Sequence, residues 1–162
     1  VRPTSTSILG IELRRFRPTD DEFVALLADE AFREYDARPG RYLLRATHRA
    51  TTMTWIAVEK GAPIGMIVLD RSAGEWSILA VAVAARARAR GVGGLLLQTA
   101  EESARRLGAS QLSLFTADAN LAALDLFLRR GFRIVARRRG FYSRHQDACR
   151  LVKRLSGAGP KT

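Results

Sequence analysis

The sequence predicts an α/β fold of the α+β kind, a mixed and mostly antiparallel sheet flanked by helices. Three observations carry that reading. Strand and helix periodicities alternate in the order β-α-(α)-β-β-β-α-β-α-β-β. Three consecutive strand runs are separated only by short turns, Lys60-Gly61-Ala62-Pro63 and Arg71 to Gly74, as antiparallel neighbours allow. A Gly-rich segment, Arg88 to Gly94, joins a strand to a helix.

Ile11 to Arg17 alternates apolar and charged residues and opens the fold as a strand. Pro18-Thr19-Asp20-Asp21 follows, a proline turn with Thr19 as N-cap and acids in the first helical turn. Phe23, Leu26, Leu27, Ala31 and Phe32 recur at helical spacing and mark the expected buried face. Pro39-Gly40 interrupts, and Arg41 to Thr52 reads as a second short helix or an irregular segment. His48 within it reads as a surface residue. Thr54 to Glu59, Ile64 to Leu69 and Glu75 to Val83 are the second, third and fourth strands. Leu95 to Leu107 is a helix closed by Gly108. Gln111 to Thr116 is the fifth strand. Asp118-Ala119-Asn120 caps a helix from Leu121 to Arg130, with Ala123, Leu124, Phe127 and Leu128 inward and Gly131 at its end. Phe132 to Arg139 and Ala148 to Leu155 are the last strands, joined by a loop from Gly140 to Asp147. Cys149 falls in the last strand as a small core residue. Residues 1 to 10 read as a flexible N-terminal arm, 11 to 155 as one domain, and 156 to 162 as a disordered tail.

At 162 residues the chain is long enough for one domain with its own core. Its 47% apolar and 27% charged content suits a soluble globular protein. No apolar run approaches the ~18 residues of a membrane span, and the start lacks the apolar segment of a secretory signal. Cys149 is alone, so no internal disulfide forms and a reducing cytoplasm is the expected compartment. No metal is expected, because two histidines and one cysteine stand without ligand spacing. The net charge of +11 favours anionic partners. Arginine does nearly all of this, with only three lysines, so local clustering says more than the total.

The stretch from Val81 to Gly94 organises the rest. Glycines let the backbone approach a ligand closely, and the unpaired N–H groups of a helix start point at an anion. The macrodipole, Arg88 and Arg90 add positive charge. No Lys-Ser or Lys-Thr follows the glycines, so this is not a P-loop, and the third glycine of a dinucleotide fingerprint is missing. What fits is [Q/R]-x-x-G-x-[G/A], read as Arg88-Ala89-Arg90-Gly91-Val92-Gly93. This resembles the pyrophosphate-binding loop of the GNAT superfamily of acyl-CoA-dependent N-acyltransferases. Asn120-x-x-Ala123-x-x-Leu126-Phe127-x-x-x-Gly131-Phe132 is similar to a second block of that family, in the same order and spacing. The two blocks cover roughly half of the chain, from Ser77 to Leu155.

The resemblance implies a sheet splayed between its fourth and fifth strands and acetyl-CoA as co-substrate. It implies that Val81, Ala82 and Val83 hold the pantetheine arm through backbone groups, with the Val83 N–H on the oxyanion. Arg88, Ala89, Arg90, Gly91, Val92, Gly93 and Gly94 would hold the pyrophosphate. Asn120 would bond the pantetheine or shape the helix start, and Phe127 completes the cofactor set. The sequence departs from the family in its acids and bases. Phe127 lacks the hydroxyl of the tyrosine that often acts as general acid there. Ser77 stands where many members keep a glutamate base. Phe115 stands where bacterial Nα-acetyltransferases of ribosomal proteins often keep one. Glu75 is then the candidate base, with water as the alternative. Tyr142 is the candidate acid, and Arg139 and Arg144 beside it are expected to lower its pKa.

The implied reaction is direct attack of a primary amine on the thioester in a ternary complex. The acceptor is a peptide N-terminus, a lysine or a small amine. Gly140-Phe141-Tyr142-Ser143 and Asp147-Ala148 resemble the loop region of the Nα-acetyltransferases. Two other readings stay open. One is a basic RNA- or ribosome-binding module, suggested by Arg129, Arg130, Arg133, Arg137, Arg138, Arg139 and Arg144 among Phe132, Phe141 and Tyr142. The other is a domain that binds CoA without turnover, suggested by the missing tyrosine and glutamate. No membrane partner is expected, nucleic acid is less favoured than a small-molecule or peptide acceptor, and the assembly is a monomer or homodimer.

Overall fold

The chain runs β1 (Thr6–Ile8), β2 (Ile11–Arg15), α1 (Asp21–Phe32), α2 (Pro39–Thr47), β3 (Thr52–Glu59), β4 (Ala62–Ser72), β5 (Glu75–Val83), α3 (Val92–Arg106), β6 (Gln111–Ala117), α4 (Leu121–Arg129), β7 (Arg133–Arg138) and β8 (Ala148–Arg154) in the computed structural model, which describes residues 6–155. One sheet takes the order β1-β2-β3-β4-β5-β6-β8-β7. Every pair in it is antiparallel except β5 and β6, which are parallel. α1 and α2 pack on one face against Ile56, Met66 and Val68. α3 and α4 pack on the other, where Leu96, Ala100 and Phe127 meet Ile67, Leu112 and Leu151. β3 and β4 lie between these layers. That is why they read as continuous apolar runs rather than alternating ones.

The N-terminal segment corrects the expectation of a flexible arm. Thr6–Ile8 pairs with β2 through a tight turn at Leu9 and Gly10, both at positive φ. A strand of three residues is too short to leave a periodic signal. Residues 1–5 and the expected tail, 156–162, lie outside the described residues.

Other expectations shift in phase. α1 buries Val24, Leu27 and Ala28, while Leu26 is 62% exposed. Phe23, Ala31 and Phe32 pack only along the rim of that cluster. Pro39 opens α2 at its first turn instead of interrupting the chain, since its missing N–H is not needed there. A Cβ at Gly40 would come within 2.5 Å of the Ala25 carbonyl, so glycine sets the close approach of α1 and α2. In α4, Phe127 is buried but Leu128 is 48% exposed.

Thr19 does not cap α1. Pro18–Asp20 forms a single 3-10 turn, and the Asp20 carboxylate accepts from the Arg17 N–H at 2.8 Å. The same buried carboxylate takes two hydrogen bonds from the Arg14 guanidinium, at 2.8 and 2.9 Å. Burial alone would raise its pKa, but Arg14 and the Arg17 N–H outweigh that and hold it below the usual value. Its contribution to stability is therefore full above about pH 4 and fades as pH falls through the lowered folded value. Asp20→Ala should cost about 1–3 kcal/mol at pH 7, leaving Arg14 unpaired. Urea unfolding of the two proteins at pH 7 and pH 3 tests this. The gap should narrow at pH 3, and an equal gap at both would overturn it.

β5 and β6 pair at only two positions, Ser77 with Ser113 and Ile78 with Leu114. Opposite β4, β5 steps from Ile78 to Ala80 while its partner advances one residue, so Leu79 is bulged. A bulge bends its strand, and β5 turns away from β6 beyond this point. The splay expected between the fourth and fifth strands is this gap.

Candidate active site

The gap is lined by backbone groups that the sheet does not use. The Ala84 N–H donates to the Ile64 carbonyl across β4–β5 at 2.8 Å. In an antiparallel ladder such bonded pairs alternate with unbonded ones. Ala82 therefore spends its N–H and C=O on Met66 opposite, while those of Val81 and Val83 point away from β4. On that side β6 has already left. The Val83 carbonyl accepts from Arg88 Nε at 3.1 Å.

Beyond β5, Gly91 takes a left-handed conformation, φ 80°, and forms the N-cap of α3. The Leu95 N–H is the first to find a helical partner, the Gly91 carbonyl at 3.1 Å. The N–H groups of Val92, Gly93 and Gly94 are the orphans of the first turn. They face a groove of about 610 Å³ between the β5 end, the α3 start, α4 and the end of α1. Ala89, Gly91 and Arg88 complete its loop side. Arg88 also faces Glu30 across the groove, at 3.6 Å.

A second cavity, of about 160 Å³, opens in the splay itself. Its walls are mainly apolar and aromatic, including Phe32, Phe115 and Phe127, with Tyr35 and Tyr142 beside them. Val81, Tyr35, Asn120 and Ala123 belong to both spaces, so the groove and the cavity meet at Val81. Asn120 Oδ1 accepts from the Ala123 N–H at 3.2 Å and caps α4, which leaves its amide NH₂ free to donate.

A model of the acetyltransferase (GNAT) family matches residues 20–132. The chain belongs to that family. No curated protein matches this GNAT chain by sequence. Solved structures match it in fold. Ard1 from Thermoplasma volcanium is 26% identical, with a TM-score of 0.79 over 92% of this chain and 100% of that one. The ribosomal-protein-S18-alanine N-acetyltransferase from Escherichia coli is 19% identical, with a TM-score of 0.77 over 94% and 98%. A GNAT acetyltransferase from Elizabethkingia anophelis with acetyl-CoA bound is 22% identical, with a TM-score of 0.72 over 91% and 100%.

Within this GNAT fold the residues singled out from sequence separate. Val81, Ala82, Val83, the Gly loop and Asn120 come together. Arg90 does not. Its guanidinium turns to Glu59 at the β3–β4 hairpin, away from the groove. Phe127 lines the cavity rather than the groove, and its ring packs edge-on against Phe132 at 5.6 Å. Glu75 leaves the site altogether. It is exposed at the first residue of β5, about 20 Å along the strand from Val81 and beside Gly74 and Leu107. Glu75→Gln should leave kcat and its pH profile within about twofold, and a large loss would return Glu75 to the mechanism. His48 is on the surface, paired with Asp21 at 2.8 Å.

Tyr142 stands in the cavity, with its ring 5.6 Å from that of Tyr35. Its pKa is not lowered by Arg139 and Arg144 but pushed up to about 12, by burial first and then by Tyr35 and Cys149. The arginines are exposed, so water screens them. Sequence reasoning missed the other wall. Ser143 Oγ accepts from the Ala37 N–H at 3.2 Å, and Gln146 Nε2 donates to the Glu34 carbonyl. These bonds tie the β7–β8 loop to the α1–α2 loop over the cavity. They also bring in Asp36, the one carboxylate among the described residues that line the cavity. No local pattern announces bonds between residues more than a hundred positions apart.

Proposed function

We propose that this protein is an N-acetyltransferase that moves an acetyl group from acetyl-CoA to a primary amine by direct attack in a ternary complex. The observation that carries the reading is the junction at Val81, where an anion cradle and a largely apolar cavity meet at a strand with backbone groups that the sheet leaves unpaired. The cradle fits a pyrophosphate: three orphan N–H groups, a helix dipole and Arg88 face one groove. Acetyl-CoA supplies the activated acyl group as a thioester. Val92, Gly93 and Gly94 bind its phosphates, and the Asn120 amide with the Val81 and Val83 backbone orients the arm. The Val83 N–H is aimed to stabilise developing negative charge on the acyl oxygen. Asp36 draws the acceptor's ammonium to the cavity and takes its proton, the role first considered for Glu75. Tyr142 holds a proton for the leaving sulfur. The aromatic walls exclude water, which limits hydrolysis.

The test is a panel of small primary amines and peptides of varied N-terminal residue, assayed with acetyl-CoA for thiol release. At least one class should raise release well above the amine-free rate. Tight acetyl-CoA binding with no release across the panel would favour the domain that binds without turnover.

A further inference from the structure

The register of β6, β8 and β7 sorts the arginine cluster onto two faces. Residues paired across a ladder share a face. Gln111 and Arg154 form one row, then Ser113, Val152 and Arg133, then Phe115, Arg150 and Ala136, then Ala117, Ala148 and Arg138. The opposite face carries Leu112, Leu114, Cys149 and Leu151 into the core under α3 and α4. Arg137 belongs to that side, 4.0 Å from Asp118. The core under α1 and α2 draws on β3, β4 and β5, and includes no residue of β6, β7 or β8.

Four arginines therefore follow one another on a part of the sheet that those helices leave open. Arg154, Arg133, Arg150 and Arg138 alternate between β8 and β7, each two residues further along, a step of about 7 Å. None has an ion-pair partner among the described residues. β6, β7 and β8 place no acid on this face, and the acids at its borders are Glu75 of β5 at one end and Asp36 of the cavity wall at the other. Val152 is only 7% exposed without a helix over it, as expected where arginine stems lie across it. The row ends at the cavity. The Arg138 guanidinium lies 5.3 Å from the Phe115 ring centroid, and Phe115 stacks on exposed Phe141 at 4.6 Å.

We propose that this row is a docking surface for single-stranded nucleic acid, with phosphates on Arg154, Arg133, Arg150 and Arg138 and a base against Phe141. A nucleic-acid backbone offers one negative charge at every unit, which suits one guanidinium at every step, and guanidinium bonds phosphate in a bidentate manner. Its bases also supply a partner for the exposed ring at the end of the row. An acidic peptide would need an acid at every second residue and would leave the exposed part of the Phe141 ring uncovered. The surface stands apart from acetyl transfer. Taken with that reading, it brings the amine of a nucleoprotein to the cavity mouth.

The experiment is fluorescence anisotropy of a labelled oligouridine against salt, with the full chain. Four phosphate contacts predict a slope of log K on log salt of about −3. Arg133→Glu with Arg150→Glu should roughly halve that slope and weaken binding at least tenfold, with acetyl-CoA affinity unchanged. Should the double reversal not fold, Arg133→Gln with Arg154→Gln reads the same slope. Salt-independent binding, or variants that bind as the parent does, would overturn the proposal. So would polyglutamate competing as well as oligouridine, which would make the row an acidic-protein surface. Thiol release is measured separately, so failure of acetyl transfer and failure of docking remain distinct.

Discussion

Tyr142→Phe should lower kcat by roughly 10²-fold at saturating acetyl-CoA and leave acetyl-CoA affinity within about twofold. The cavity wall has no hydroxyl where Phe127 sits, and the leaving thiolate still gains from a positioned proton donor. Tyr35, Tyr42 and Tyr142 all line the cavity and Tyr35 borders the groove as well, but only Tyr142 lies on the β7–β8 loop that closes over the cavity. Burial keeps its phenol protonated through the whole assay range, since the pKa is pushed up to about 12. A raised pKa makes Tyr142 a weaker acid, so it serves the departing sulfur as a hydrogen-bond donor, and two further consequences follow. The donor is fully protonated at neutral pH, and no loss of activity from its ionisation should appear below about pH 10. The variant removes one oxygen and keeps the ring against Tyr35 and Phe141, so packing is preserved. A kcat within about threefold of the parent would sink the assignment and leave water as the proton source. Loss of acetyl-CoA affinity in step with kcat would make Tyr142 a binding residue instead.

How much of this was legible in the sequence depends on the range of the interaction. The Gly loop, the Asn120 cap and the end of α4 at Gly131 are local, and each is written in a few adjacent residues. The three hairpin strands were legible for the same reason. Thr6–Ile8 was not, because three residues give no period, and α1 was read out of phase because Phe23 and Phe32 outweigh Val24 and Ala28 in bulk though not in burial. The chemistry of the cavity was least legible. Glu75 sits on the same strand as Val81, and strand membership suggested proximity, yet a strand is long compared with a site. Asp36 had no signal of its own, because its place depends on a loop more than a hundred residues away. The charged sequence neighbours of Tyr142 predict a lowered pKa, whereas burial first, then Tyr35 and Cys149 beside it in space, raise it. The arginine cluster shows the same limit. Its charge was visible in the sequence, but its division between two faces needed the register, in particular the shift between Ile134 and Ala136 that puts Arg138 on the side of Arg133.

Gly93→Asp should weaken acetyl-CoA binding at least tenfold, about 1.4 kcal/mol, while the folded protein is as stable as the parent or more so. The two halves of this expectation have separate physical causes. Gly93 lies in the first turn of α3 with ordinary helical φ, so glycine is not needed there for its backbone. A Cβ would meet Leu126 Cδ2 at 3.4 Å and Val83 Cγ2 at 3.8 Å, both ordinary contacts, so the helix and β5 need not move. A carboxylate in the first turn also favours the helix through the macrodipole. The same carboxylate faces the three orphan N–H groups that the phosphates require, and it adds negative charge beside them. Stability and affinity should thus move apart, which a general defect in folding cannot produce. Calorimetric titration with acetyl-CoA gives the affinity, and thermal unfolding without ligand gives the stability. Gly93→Ala is the control for bulk, and it should lose far less affinity than the aspartate. An unchanged affinity in folded Gly93→Asp would end the reading of the α3 start as the phosphate cradle.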